Sequence, residues 1–189
     1  MSPSPEVPMA PSPQDRREPP PGARAVDAKL LRRVCGHFVT GVTVITSGLG
    51  EAATGTTVNS FTSVSLDPPL VLFCLHRASR LRAVVEESGA YAVNLLAARQ
   101  EPLARAFADR ATASLHGTPH RIARPGVPVL GAALGFLTCR LVESLEVGDH
   151  VVCLGEVVEL GLADRDAEPL VFFRGELGPL RAGTAGAAP

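Results

Sequence analysis

The sequence predicts a mainly β protein with short helices, folded as an antiparallel barrel. Six or more strand-like runs, either alternating or wholly apolar, are distributed along the chain. The helical segments between them are short, and no regular strand–helix–strand repeat is present, which argues against a doubly wound parallel sheet. At 189 residues the chain has the length of one domain with its own hydrophobic core.

The first elements lead to a segment rich in hydroxyl groups. Apolar residues follow helical spacing from Leu30 to Phe38, and Asp27 is the predicted N-cap. Val42–Ser47 reads as a strand that pairs, through a glycine-rich turn, with a strand beginning at Thr56. Ten alternating residues from Thr56 predict one continuous strand with small polar groups concentrated on one face, at Thr57, Asn59, Ser63 and Ser65.

The remaining elements follow from turn signals and apolar runs. Asp67, Pro68 and Pro69 predict a turn into a buried strand, Leu70–Leu75. The elements predicted after it are a helix from Ser79 to Gly89, a strand at Tyr91–Leu96, a helix at Pro102–Asp109, a loop over Ala111–Gly131, strands at Leu134–Val147 and His150–Leu160 joined at Gly148-Asp149, and a last strand at Leu170–Phe173.

Composition narrows the class of protein. Eighteen Lys plus Arg are balanced by 19 Asp plus Glu, so the basic excess of a nucleic-acid-binding protein is absent. No apolar run approaches the roughly 20 residues that span a bilayer, and the N-terminus has no apolar signal core. The four cysteines form no Cys-x-x-Cys pair and lie in apolar segments, which predicts buried thiols in a reduced, cytoplasmic protein.

Residues 1–25 are rich in proline and poor in core-forming residues, which predicts a disordered tail. The predicted domain covers residues 26–181, and 182–189 are expected to be a flexible C-terminus.

Several common kinds of site are disfavoured. The spacing of Gly48, Gly50 and Gly55 differs from that of a dinucleotide-binding turn, and a β pattern follows it. His116 and His120 are separated by a glycine and a proline, which prevent the helix that would bring both rings to one metal ion. A Gly-x-Ser-x-Gly motif is also missing, so a serine hydrolase is not expected.

The chain resembles the flavin reductase-like family in several motifs that occur in the family's order. The core motif is Gly-x-Thr-x-x-Ser-Phe-x-Ser-Val-Ser-x-x-Pro-Pro-Leu, which begins at Gly55. Further matches are Gly41–Thr46, Tyr91–Leu96, Ala104–Ala108, Cys139-Arg140, Gly148-Asp149-His150 and Gly155-Glu156-Val157. Together they span about Leu30 to Leu180. The resemblance implies a split barrel of the flavin reductase or FMN-binding type, typically a homodimer with the flavin near the subunit interface.

The resemblance also implies site residues. Thr56, Thr57, Asn59 and Ser60 would lie near the ribityl chain or ring, and Ser63, Val64 and Ser65 would contact the ring edge. Ser79 would lie near the phosphate, where a helix N-terminus and Arg77, Arg80 or Arg82 could add positive charge. His150 would lie beside the flavin and the nicotinamide as the catalytic residue, and Phe107 would pack near the flavin. No metal site is expected. Leu177 occupies a position where many relatives have an aromatic residue.

The activity that the resemblance implies is that of an NAD(P)H:flavin oxidoreductase. Hydride would pass from nicotinamide C4 to flavin N5, with FMN or FAD as the flavin and NADH or NADPH as the donor. The reduced flavin would serve a partner monooxygenase. Two alternatives remain open, namely a non-catalytic flavin- or haem-binding split barrel and an oxidase that retains FMN. The sequence does not favour one flavin or one nicotinamide nucleotide over the other.

Overall fold

The computed structural model describes residues 26–109, 113–162 and 167–180. The predicted tail over 1–25 and the predicted C-terminal segment over 182–189 lie outside these ranges. The described helices are α1 (Ala28–Cys35), α2 (Arg80–Ser88) and α3 (Glu101–Ala108). The described strands are β1 (Thr40–Gly41), β2 (Thr43–Ser47), β3 (Thr54–Val58), β4 (Thr62–Leu66), β5 (Pro69–His76), β6 (Ala90–Leu95), β7 (His120–Ala123), β8 (Val127–Leu130), β9 (Gly135–Val147), β10 (His150–Leu162), β11 (Leu170–Phe173) and β12 (Glu176–Pro179).

A seven-stranded antiparallel sheet forms the body of the fold and confirms the predicted fold class. Its strands lie in the order β3-β2-β6-β9-β10-β5-β4. The predicted hairpin of β2 and β3 is confirmed, as is the long hairpin of β9 and β10. Gly148 turns that hairpin with a φ of 63°, a conformation that glycine adopts without strain. A second sheet, β1-β11-β12, and a third, β7-β8, complete the described strands.

The prediction of one ten-residue strand from Thr56 is wrong. β3 ends at Val58 and β4 begins at Thr62, and the two strands lie at opposite edges of the large sheet. The residues between them cross from one edge to the other, because the Ser60 side chain bonds to the backbone of β5 rather than continuing a ladder. The predicted polar face is therefore divided between two separate strands.

The loop predicted over Ala111–Gly131 is also wrong in its second half, which forms the hairpin of β7 and β8. Pro125 and Gly126 make its turn, and all four residues of β8 are buried. The Thr46 hydroxyl donates to the carbonyl of Pro128, so the hairpin is fastened to β2. Proline is compatible with a strand here because a two-stranded sheet consists of edge strands only. The strand β12 was not predicted.

The helices agree with their predicted positions. Asp27 caps α1 by accepting a hydrogen bond from the amide of Lys29 at 2.9 Å. Gly89 ends α2 with a φ of 63°. α2 packs Leu81 and Val85 onto the core of the large sheet, and α3 packs Ala104 and Phe107 into a second apolar cluster. No residue of α1 is buried. Among the described residues, none of the helices combines the length and the apolar character required to cross a membrane.

Candidate functional site

A cleft of ≈ 570 Å³ opens between the two ends of the curled sheet. One wall is Thr54–Ser60, which comprises β3 and the crossing that follows it. The opposite wall is the end of β5, and the first residues of α2 and the turn end of the β9–β10 hairpin close the cleft. Of the residues predicted to bind a cofactor, six line it: Thr56, Thr57, Asn59, Ser60, Ser79 and His150.

The threonine hydroxyls of β3 bond to helix α3. Thr57 Oγ1 donates to the carbonyl of Ala104 at 2.7 Å, and Thr56 Oγ1 donates to the carbonyl of Phe107 at 3.4 Å. The Phe107 carbonyl lies in the last turn of α3, where it lacks a partner within the helix, and the Ala104 carbonyl lies about one turn earlier. The two threonines therefore position α3 against the cleft, and only the lone pairs of their hydroxyl oxygens remain for a ligand.

The Ser60 hydroxyl makes more hydrogen bonds within the fold than either of the two threonine hydroxyls does. Its Oγ donates to the carbonyl of Cys74 at 3.1 Å and accepts from the amide of Cys74 at 3.0 Å. The side chain thus takes the place of a neighbouring strand's backbone at this point of β5. These two hydrogen bonds hold the segment after β3 against β5, so the role of Ser60 in the cleft wall is structural.

The free hydrogen-bonding groups of the cleft are concentrated on a few side chains. Within the described residues, neither Asn59 nor Ser79 makes a side-chain hydrogen bond, and Ser79 lies at the N-cap of α2 without capping it. Arg80 also lines the cleft, whereas Arg77 is exposed and outside it. Arg82 is held by Glu86 at 2.9 Å and by Glu146 at 2.8 Å. The start of α2 therefore presents backbone amides, a hydroxyl and one guanidinium to the cleft, which suits an anion.

His150 lies at the exposed end of the cleft, with 47 % of its side chain accessible. Its Nδ1 is 2.7 Å from Oδ1 of Asp149. This hydrogen bond lowers the pKa of Asp149, so the carboxylate stays ionised and can only accept. Asp149 therefore holds the imidazole with its proton on Nδ1, leaving Nε2 directed away from the carboxylate.

His76 is a cleft residue that sequence reasoning missed. It ends β5 and pairs directly with His150 at the start of β10. The two ring centroids are 5.5 Å apart, and the ring planes meet at 80°. No motif marks His76, because its position opposite His150 depends on the register of two strands that are distant in sequence. Cys74, Val147 and Val152 also line the cleft without having been predicted.

The other predicted site residues lie outside the cleft lining. Ser63, Val64 and Ser65 are on the edge strand β4, where Ser63 and Val64 are exposed. Phe107 is 2 % exposed and lies beneath Gly55 of β3, where it belongs to an apolar cluster. Phe107 thus supports the wall from behind, and a contact between its ring and the flavin remains a prediction.

A second groove of ≈ 400 Å³ continues from the cleft, since both are lined by Thr57, Val58, Asn59 and Ala108. Phe172 and Leu177 form much of its far wall. Leu177 makes this wall partly aliphatic.

Metal-binding groups do not converge in the part of the chain that the structure describes, where no three His, Cys, Asp or Glu residues form a group able to hold an ion. His116 and His120 line a different groove, beside Glu51. All four cysteines carry free thiols, and the prediction that all are buried is wrong for Cys35, which is exposed, and for Cys74, which is half-buried. Burial raises the pKa of Cys139 to about 12 and that of Cys153 to about 11, so neither has thiolate character at neutral pH.

Comparison with known proteins agrees with this geometry. A relative from Rhodococcus jostii, the reductase subunit HsaB of a flavin-dependent monooxygenase, is 38 % identical over 154 residues, covering 82 % of this chain and 78 % of the relative. The FMN reductase (NADH) SmoA of Agrobacterium fabrum is 38 % identical over 152 residues, covering 80 % and 86 %. The solved structure of a Streptomyces globisporus NADH:FAD oxidoreductase, in complex with NAD and FAD fragments, superposes with a TM-score of 0.76 at 37 % identity, covering 88 % of this chain and 100 % of that one. Residues 35–181 match the model of the flavin reductase like domain, and the chain belongs to that family.

Proposed function

We propose that this protein is an NAD(P)H:flavin oxidoreductase, which transfers hydride from nicotinamide C4 to the N5 of FMN or FAD. The observation that carries the proposal is the distribution of free polar groups in the cleft. Anion-binding groups lie at the start of α2, the amide of Asn59 makes no side-chain hydrogen bond to the described residues, and a histidine held by a carboxylate lies at the exposed end. Such a cleft matches a phosphorylated, ring-bearing ligand with a second substrate entering from solvent.

The residues present fit a flavin. Ser79, Arg80 and the first amides of α2 would bind its phosphate. The Asn59 amide would bond to the ribityl chain or a ring edge, with the oxygens of Thr56 and Thr57 as further acceptors. Backbone and hydroxyl groups of Ser63, Val64 and Ser65 remain predicted contacts to the ring edge. When bound, the flavin supplies the two-electron redox chemistry, and the protein supplies binding and orientation.

No acid, base or nucleophile of the protein is required for hydride transfer. The contribution of the chain is to hold the nicotinamide and flavin rings in contact and to exclude misaligned orientations of the two rings. In this proposal His150 positions the nicotinamide or the flavin edge. Its substitution by alanine should slow hydride transfer more than it weakens flavin binding, and equal rates in the two proteins would remove His150 from the mechanism.

The relatives that are reductase subunits support a role beside an oxygenase. We propose that reduced flavin leaves this protein and serves a flavin-dependent monooxygenase, so that flavin is a substrate as much as a cofactor. The cleft is open to solvent along Asn59 and His150, both of which are exposed, and this suits exchange of the flavin.

A homodimer is also proposed, and α1 supports it. The helix and the residues flanking it expose Val26, Leu30, Leu31, Val34, Phe38 and Val39, each at least 50 % accessible. An amphipathic helix with no buried residue lacks the packing that normally stabilises a helix of eight residues. Coverage of this face by a second copy would supply that packing. The four free thiols suit a reducing, cytoplasmic location, which likewise remains a proposal.

The decisive experiment is anaerobic. Purified protein is mixed with FMN or FAD and then with NADH or NADPH, and loss of the visible absorbance of the oxidised flavin is followed by stopped flow. Rapid bleaching is expected, and the fastest combination identifies both substrates. Confirmed flavin binding without bleaching in any of the four combinations would contradict the proposal and favour a non-catalytic flavin-binding barrel. Flavin that co-purifies and is reoxidised without release would instead indicate an oxidase that retains FMN.

A further inference from the structure

Two histidines face each other across the exposed end of the cleft. His76 and His150 are paired residues of adjacent antiparallel strands, with ring centroids 5.5 Å apart at an interplanar angle of 80°. Both line the cleft. Their ring nitrogens have different hydrogen-bonding roles, which the neighbouring groups determine.

In His150 the free nitrogen is an acceptor. The Asp149 carboxylate, 2.7 Å from Nδ1, can only accept, so Nδ1 carries the hydrogen. In the neutral ring, Nε2 then has a lone pair and no hydrogen. The carboxylate also restricts rotation of the ring, as second partners of functional histidines commonly do.

In His76 the free nitrogen is a donor. The backbone amide of Ala78 donates to Nδ1 at 3.1 Å, and a backbone amide can only donate. In the neutral ring, the hydrogen therefore lies on Nε2. The turn around this contact is well fixed, because Ser79 N donates to His76 O at 2.8 Å and Arg77 N donates to Asp149 O at 3.0 Å. The cleft thus presents one imidazole donor and one imidazole acceptor side by side.

We propose that His76 and His150 together bind the primary carboxamide of the nicotinamide. His76 Nε2–H donates to the carboxamide oxygen, and His150 Nε2 accepts from the carboxamide amino group. A primary carboxamide carries these two complementary groups on one carbon atom, so one small group satisfies both rings. This inference rests on the proposed function, and it adds His76 as a residue that positions the hydride donor.

The location of the pair favours the nicotinamide over the flavin, whose pyrimidine ring also has an amide edge. His150 is half exposed at the end of the cleft, whereas Asn59 and the start of α2 provide the groups suited to the flavin. Since Asn59 and the start of α2 are assigned to the flavin, the end of the cleft at His150 is left for the second substrate, the hydride donor. The pair would fix the rotation of the nicotinamide ring about its glycosidic bond, and thereby which part of the ring meets the flavin.

The test compares NADH with its 3-acetylpyridine analogue, in which a methyl group replaces the carboxamide amino group. The analogue keeps the oxygen that His76 would bind and lacks the donor that His150 would accept. Dissociation constants of both are measured at pH 8 by stopped-flow saturation of flavin reduction, and flavin affinity is measured separately by fluorescence. The variants are His76→Phe, His76→Gln and His150→Phe, with His116→Phe as a control outside the cleft.

We expect wild type to bind NADH more tightly than the analogue by about tenfold, the effect of one unpaired polar group. His150→Phe should bring that ratio close to one. His76→Phe should weaken both ligands by about five- to tenfold and leave the ratio unchanged. His76→Gln should recover part of the loss, because its amide can donate. Flavin affinity and the control variant should change by less than about twofold.

An unchanged NADH dissociation constant in His76→Phe would overturn the proposal. An unchanged ratio of the NADH and analogue dissociation constants in His150→Phe would also overturn it. A loss of flavin affinity with NADH affinity intact would overturn it as well, because the two histidines would then bind the flavin. Retained flavin binding shows that each variant is folded. These outcomes differ from failure of the proposed function, in which wild type would not bleach flavin with any hydride donor.

Discussion

Ser60 holds Cys74 by two hydrogen bonds, donating to its carbonyl at 3.1 Å and accepting from its amide at 3.0 Å. This contact joins the crossing segment after β3 to β5, and both segments line the cleft. The adjacent Asn59 has no such bond within the described residues and lines the cleft with a free amide. Two neighbouring polar residues therefore have different roles, one in structure and one available for binding.

The first prediction separates these roles. Asn59→Ala should raise the flavin dissociation constant about tenfold, because one hydrogen bond is lost, and it should hardly change the melting temperature. Ser60→Ala should instead lower the free energy of unfolding by about 1–2 kcal/mol, because the Cys74 amide and carbonyl lose their partner. Flavin titration and denaturant unfolding of both variants provide the check. A stable Ser60→Ala variant with weakened flavin binding would reverse the assignment.

The second prediction concerns the phosphate. Arg80→Gln should weaken FMN binding by about three- to tenfold, because the charge at the start of α2 is removed. Riboflavin, which lacks the phosphate, should bind both proteins equally. Arg77→Gln is the matched control, since Arg77 is exposed and outside the cleft. Isothermal titration gives the six dissociation constants, and equal losses for FMN and riboflavin in Arg80→Gln would show that Arg80 contacts another part of the flavin.

The third prediction tests the packing behind β3. A Cβ atom at Gly55 would lie 2.8 Å from the carbonyl oxygen of Ile45 and 3.1 Å from two ring atoms of Phe107. Gly55→Ala should therefore lower the free energy of unfolding by about 1–3 kcal/mol. Gly41→Ala, where no atom lies within 4 Å, is the control and should change stability little. Equal denaturation midpoints for the two variants would show that both the Ile45 carbonyl and the Phe107 ring move away without cost.

The fourth prediction concerns thiol reactivity in the folded protein at pH 8. Burial raises the pKa of Cys74, Cys139 and Cys153, and the latter two are almost inaccessible. Iodoacetamide should modify Cys74 slowly and should leave Cys139 and Cys153 unmodified until the protein unfolds. Saturating FMN should slow the reaction of Cys74 further, because Cys74 lines the cleft. Peptide mass spectrometry over time gives each rate, and no FMN protection would indicate that the flavin binds elsewhere.

The fifth prediction concerns pH. The hydrogen bond from His150 lowers the pKa of Asp149 in the folded protein below its unfolded value. A lowered carboxyl pKa stabilises the fold above the unfolded pKa of about 3.9, and the contribution disappears as the pH falls through the lower folded value. The melting temperature of wild type should therefore exceed that of Asp149→Asn slightly at pH 5–7, and the difference should shrink as the pH is lowered below about 3.9. A difference that does not shrink in acid would have another cause.

Signals from neighbouring residues were sufficient to predict most of the helices and strands. Asp27 caps α1 and Gly89 ends α2 because capping depends on residues within one or two turns. Gly148 turns the β9–β10 hairpin for the same reason. The prolines and glycines before Gly131 were misread as a continuous loop, because the same residues also form the turn of a short hairpin whose burial depends on β2.

The break between strands β3 and β4, near Asn59, could not be predicted from the sequence. An alternating pattern continues from Thr56 to Ser65, and nothing in a two-residue period marks the point at which the chain leaves one sheet edge for the other. The hydrogen bonding of Ser60 to Cys74 determines where the chain leaves the first edge, and these two residues are 14 positions apart. The threonine hydroxyls likewise bond to carbonyls 47 and 51 positions away, so their availability to a ligand could not be judged beforehand.

The sequence by itself determined the family, the antiparallel class, and the residue types of a flavin cleft. The order of motifs, the hydrophobic period and the helix caps all depend on residues that are close together in the chain. The tertiary structure alone decided which of those polar groups remain free and which residue faces His150. Hydrogen bonds and strand register join segments that are far apart in the chain, and each donor or acceptor consumed inside the fold is lost to a ligand. His76 became a site residue only because β5 and β10 pair in the register that places it opposite His150.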